Sequence, residues 1–179
     1  VPFQTVTNGE HPDGTPRYLP YLRDPETLAR PWAIPGTPGL MHRVGGIEKQ
    51  DGRGDIDYSP ANHEKMVHLR AAKVAGIAAD IPPATVVGDA DAEVCVLGWG
   101  STWAAITSAV EQVRSDGTKV AWIHLTHLNP LPPNLGDLLR SYRRVIVPEL
   151  NMGQLCRIVR AEYLVDARSI SKVQGLPFS

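Results

Sequence analysis

From residue 93 onward, apolar runs of strand length alternate with amphipathic stretches of helix length. EVCVLGW (93–99) is a continuous apolar run, and TWAAITSAVEQVRSDG (102–117) is an amphipathic helix that ends on Gly117. KVAWIHL (119–125) reads as a second strand, NLGDLLRSY (134–142) as a short helix, and RRVIVPEL (143–150) as a third strand. GQLCRIVRAEYL (153–164) then forms an amphipathic helix, and ARSISKVQ (167–174) closes as a last strand. Parallel strands that are apolar on both sides need helices on both faces, because the crossovers are right-handed and must cover them. The predicted fold class is therefore α/β, a three-layer α/β/α sandwich on a mostly parallel sheet.

Upstream the pattern changes. NHEKMVHLRAAKVAGIA has Asn62 as a prospective N-cap and an apolar stripe at Met66, Leu69, Val74 and Ile77, which predicts a helix over 62–78 stopped by the prolines of IPP. Before it, residues 1–60 hold nine of the chain's 16 prolines, which exclude long regular elements. Phe3, Tyr18, Tyr21, Leu22, Trp32, Ile34 and Tyr58 are spaced through that segment, as in an extended chain pinned by aromatics. Three regions result: a proline-rich loop and interface segment (1–61), a connecting helix and linker (62–85), and the α/β/α domain (86–179).

Composition narrows the classes. A formal net charge of -1 lacks the basic surplus of a nucleic-acid platform, so no nucleic-acid partner is expected. No apolar run approaches the roughly 20 residues of a membrane span, and no secretory pattern opens the chain, so no membrane partner and a cytoplasmic location are expected. Cys95 and Cys156 lie in apolar runs as small buried hydrophobes rather than as a disulfide framework. The start at Val1 and the stop just after the Gly–Pro signal of KVQGLPFS point to a piece of a longer polypeptide.

Candidate chemistry is sparse. The strand-to-helix junction PELNMGQL presents a helix N-terminus whose free N–H groups attract anions, so Glu149, Asn151, Gly153 and Gln154 mark a turn or anion site. Gly98 and Gly100 of LGWGSTW stand where a dinucleotide fingerprint would have them, but Trp103 fills its third glycine position, and a tight turn capped by Ser101 or Thr102 is the expected outcome. His124 and His127 lie on a strand running into prolines, a spacing that does not build a metal site. Arg23, Arg30 and Arg43 punctuate the proline-rich loops, where a guanidinium suits carboxylate or phosphate, and are the candidates for a substrate or interface loop. Read alone, the chain has no catalytic constellation, and a stand-alone anion- or nucleotide-binding module stays open.

Several motifs nevertheless carry a resemblance. The run from FQTVTNGEHPDGTPRYLPYLRDPETLARPWAIPGTPG to NHEKM, followed by VLGWGST, HLNPLPPN, VPELNMGQL and KVQGLPF, resembles the C-terminal part of α subunits in the 2-oxoacid:ferredoxin oxidoreductase family. ARPWAIPGTPG and the NHEKM helix point to its 2-oxoglutarate branch, and the stretch from about Glu93 resembles the transketolase C-terminal-like domain. The resemblance implies a thiamine diphosphate enzyme that decarboxylates 2-oxoglutarate, transfers the acyl group to coenzyme A and reduces ferredoxin through an iron–sulfur cluster. Pyruvate or another 2-oxoacid is the alternative substrate. It also implies that thiamine diphosphate, Mg2+ and the cluster are bound outside these residues, by the rest of the α subunit and a β subunit. This region would then be structural and interface-forming, without catalytic, cofactor-binding or metal-binding residues of its own.

Overall fold

A computed structural model describes residues 3–178, which divide into two compact units between Ile77 and Ala78. In the first, prolines confine regular pairing to short pieces. β1 (Phe3–Gln4) pairs in parallel with β4 (Trp32–Ala33), and β2 (Gly9–Glu10) pairs antiparallel with β3 (Pro16–Arg17). Side chains fasten the intervening loops: Tyr18 is buried and its hydroxyl donates to the Pro31 carbonyl at 2.9 Å. Phe3, Trp32 and Tyr58, by contrast, are exposed on the surface of this chain.

The helix of this unit, α1, spans Pro60–Gly76 and starts two residues before the predicted position. Ser59, not Asn62, is its N-cap, and Pro60 fits because the first helical position needs no N–H donor. Asn62 has a different role: it accepts from the Asp51 N–H and donates to the Lys49 carbonyl, tying the 49–51 loop to the first turn. Met66 is the buried residue of α1, while Val74 and Ile77 of the expected stripe are exposed.

The second unit is built on a five-stranded sheet. β5 (Val86–Gly88) is followed by β6 (Val94–Trp99), α2 (Trp103–Ser115), β7 (Ala121–Leu125), α3 (Leu135–Arg140), β8 (Arg144–Glu149), α4 (Gln154–Tyr163) and β9 (Ala167–Ser171). The strand order is β5-β7-β6-β8-β9, parallel except for β5, which pairs antiparallel with β7 at the edge. β5 is absent from the periodicity because it is three exposed residues long. Alternation along each strand sorts the side chains. Cys95, Leu97, Ile123, Leu125, Val145 and Val147 pack under Leu135 and Leu139 of α3 and Leu155 and Val159 of α4. On the other face Val94, Val96 and Trp122 pack on Ile106 and Val110 of α2. The three-layer α/β/α sandwich follows, with both cysteines buried as expected. Burial pushes the Cys95 thiol up to about 12, so it is an inert hydrophobe at neutral pH.

Gly98 leaves room on β6 for side chains of α2 and the turn before it. A Cβ there would overlap Ile106 Cδ1 and lie 3.2 Å from Thr102 Oγ1. The substitution Gly98→Ala is expected to destabilise the unit by about 1–3 kcal/mol through overpacking, measured by urea unfolding, with Gly117→Asn at the exposed helix end costing less.

Candidate functional site

In a doubly wound sheet, ligands bind outside the carboxyl ends of the strands where neighbouring connections leave in opposite directions. Here that switch point lies between β6 and β8, because β6 runs on through α2 on one face and β8 through α4 on the other. PELNMGQL, the junction singled out from the sequence, forms one wall of it.

Glu149 is fully buried at the end of β8. Its Oε1 accepts the Leu155 N–H at 2.9 Å, and its Oε2 accepts the Cys156 N–H at 3.1 Å. Asn151 Nδ2 donates to Oε1 at 3.1 Å, and the Trp99 indole reaches the same oxygen across the switch point at 3.4 Å. Asn151 Oδ1 in turn accepts from the Gly153 and Gln154 N–H groups at 2.8 and 3.0 Å. All four N–H groups at the start of α4 therefore have acceptors inside the chain, and the helix dipole faces a carboxylate that the chain itself supplies. Gly153 makes the turn possible: its φ of 81° is left-handed, and a Cβ there would stand 2.9 Å from Ser169 Oγ.

The second glycine-bearing junction is also closed internally. Thr102 Oγ1 donates to the Trp99 carbonyl at 2.8 Å and accepts from the Trp99 N–H at 3.2 Å, so Thr102 clasps the β6–α2 turn rather than capping α2 with its side chain. Trp103 lies edge-on to Trp122, their ring centroids 6.5 Å apart. His124 faces this turn with its Nδ1 buried and unpartnered, and burial lowers its pKa, so the ring is neutral at neutral pH. Among the described residues no three His, Cys, Asp or Glu side chains converge as metal ligands. The residues at the switch point do not fit thiamine diphosphate either, because the backbone donors a diphosphate would need are taken by Glu149 and Asn151.

The arginines fall elsewhere. Arg23 and Arg30 line a cavity of about 480 Å³ within the first unit, whereas Arg43 lies outside it. Arg23 is nearly buried and pairs with Asp51 at 2.7 Å; Arg30 lies 4.1 Å over the Tyr21 ring and donates to the Pro20 carbonyl at 3.2 Å. Lys49, Arg70 and Lys73 join them around one acidic group, Glu48. Arg70 and His63 both reach Glu48, at 3.2 and 2.7 Å, and hold its carboxyl down from 4.5 to about 2. None of these three cations stood out in the sequence, since only folding brings residues 47–49 against the Arg70 and Lys73 side of α1. Trp99 was missed at the switch point for the same reason: its partner Glu149 is 50 residues away.

The fold and the closed switch point define an α/β/α domain on a mostly parallel sheet, and residues 92–176 match the family described as pyruvate:ferredoxin oxidoreductase core domain II. The chain belongs to the 2-oxoacid:ferredoxin oxidoreductase family. It is 53% identical over 162 residues, 90% of its length, to the 2-oxoglutarate oxidoreductase subunit KorA of Mycobacterium tuberculosis, of which it spans 24%. It is 30% identical over 90% of its length to the 2-oxoglutarate synthase subunit KorA of Methanocaldococcus jannaschii, of which it spans 44%. Among solved structures it resembles the 2-oxoglutarate:ferredoxin oxidoreductase of Magnetococcus marinus, determined with 2-oxoglutarate, coenzyme A and succinyl-CoA bound. The TM-score is 0.81 at 32% identity, over 96% of this chain and 30% of that one.

Two outcomes test the site. Glu149→Ala leaves the Leu155 and Cys156 N–H groups buried without acceptors and is expected to cost about 3 kcal/mol in a denaturant titration. Glu149→Gln is also destabilising, because its NH2 meets a backbone N–H. For Glu48 the folded-state carboxyl lies below its ordinary value, so its contribution to stability is complete above 4.5 and is lost as pH falls toward about 2. Carboxyl NMR should show Glu48 titrating near the lower value, and Arg70→Gln should move it back toward 4.5.

Proposed function

We propose that the chain is the C-terminal region of the α subunit of a coenzyme A-acylating 2-oxoglutarate:ferredoxin oxidoreductase. The complete enzyme converts 2-oxoglutarate and coenzyme A to succinyl-CoA and CO2, and the electrons released by decarboxylation pass to ferredoxin. The observation that carries this reading is the 53% identity to the Mycobacterium tuberculosis subunit across 90% of the chain. Thiamine diphosphate, Mg2+ and the iron–sulfur cluster would be held by the rest of the α subunit and by a β subunit, and supply the chemistry there.

The part played by these residues is scaffolding. The closed switch point supports it, because the place where such a sheet would open a ligand crevice is filled by Trp99, Glu149 and Asn151. The exposed apolar side chains of the proline-rich segment support an interface role: Phe3, Trp32 and Met41 are 69%, 56% and 96% exposed. Arg43 shares the loop with Met41 and belongs to the same proposed contact surface.

The test is turnover by the complete enzyme purified with its partner chain. Reduction of ferredoxin with 2-oxoglutarate and coenzyme A, at a kcat/KM at least about 100-fold above that with pyruvate or a branched-chain oxoacid, is expected for a site built to pair a second carboxylate. Preference for pyruvate would keep the family and overturn the substrate. Trp99→Phe should leave kcat within about twofold while lowering thermal stability, since that side chain touches no reacting atom.

A further inference from the structure

We infer that the cavity lined by Arg23, Arg30 and the cationic side of α1 is a binding site for a small molecule with a multiply charged anionic head, phosphate or carboxylate, on an apolar body. Five cationic side chains line it against one carboxylate, Glu48. Arg70 is matched by Glu48 and Arg23 by Asp51, but Arg30, Lys49 and Lys73 enter no ion pair among the described residues. Lys49 and Arg30 donate only to backbone carbonyls, of Gly46 and Pro20. Like charges gathered in a concave, partly apolar wall reinforce one another's field, so the cavity raises the local concentration of anions.

The walls are preorganised. Tyr21 is fixed by its N–H bond to the Gly52 carbonyl at 3.0 Å and carries the Arg30 guanidinium on its ring face. Asp51, which holds Arg23, is itself held by Asn62 at the start of α1. Arg30 uses Nη1 on the Pro20 carbonyl, which leaves the other edge of its planar fork for a bidentate oxyanion. Lys73 adds a mobile point charge one turn beyond Arg70.

The remaining lining is apolar, with Met66 buried and Leu28, Ile47 and Leu69 around it. A bare inorganic ion would leave that surface wet, whereas an anion with an apolar body covers it. The volume of about 480 Å³ falls within the roughly 300–1,000 Å³ of small-molecule sites. The site lies entirely within the first unit, and the inference does not depend on the oxidoreductase reading.

Lysine-reactive footprinting of the complete subunit, read by mass spectrometry, tests it without recourse to turnover. The probes are pyrophosphate, 2-oxoglutarate and coenzyme A, at matched ionic strength against sodium chloride. At about ten times the Kd of a probe that binds here, acetylation of Lys49 and Lys73 falls about tenfold, while that of Lys119 and Lys172 is unchanged. Protection by pyrophosphate identifies a phosphate head, by 2-oxoglutarate a carboxylate head, and by coenzyme A alone a phosphate head that needs the apolar wall. In Arg30→Gln, with its circular dichroism unchanged, the protection midpoint should rise about tenfold, the loss of a charge-assisted contact. Equal labelling of Lys49 and Lys73 with every probe and with chloride overturns the site, as does an unmoved midpoint in Arg30→Gln.

Discussion

The Glu149 carboxylate, fully buried between the ends of β6 and β8, is the interaction on which the second unit turns. A carboxylate is costly to bury unless its oxygens are satisfied, and here two backbone N–H groups, the Asn151 amide and the Trp99 indole do so. A helix N-terminus is equally costly to bury without acceptors. Each need meets the other: the end of β8 supplies the anion, and the start of α4 supplies the donors. The short left-handed turn at Gly153 is what lets the chain double back far enough for both to hold.

Closing the switch point this way has a structural consequence. The parallel sheet still splays its connections to opposite faces between β6 and β8, as ligand-binding sheets do, but the crevice holds protein groups instead of a ligand. The donors that such a crevice would offer a ligand are satisfied within the chain, so the junction contributes to the packing of the domain. In the first unit, by contrast, backbone irregularity leaves arginines and lysines on loops held by Asn62, Tyr21 and Asp51 rather than by a sheet.

How much of this could be read from the sequence depends on range. β6 to β9 and α2 to α4 were legible because their apolar periodicity is local, and the strand faces follow from alternation alone. β5 was not, because three exposed residues carry no periodicity and pair only once β7 is in place. Glu149, Asn151, Gly153 and Gln154 were recognisable as one turn within six residues of chain, whereas the Trp99 contact needed the fold. Arg23 and Arg30 stood out as loop arginines, but the cavity they share with Lys49, Arg70 and Lys73 is assembled from three separated segments. The helix cap shows the same limit in miniature: Asn62 carries a capping residue's chemistry, yet it serves the 49–51 loop while Ser59 caps α1.

Amide hydrogen exchange at Leu155 and Cys156, followed residue by residue with and without added phosphate, addresses the internal occupancy of the α4 N-terminus most directly. If Glu149 holds these two N–H groups, they exchange only through global opening, as slowly as the core amides of β6 and β8, and phosphate changes nothing. Fast exchange that phosphate slows would mean that the helix end is open to an external anion, which contradicts a switch point sealed by the chain's own carboxylate.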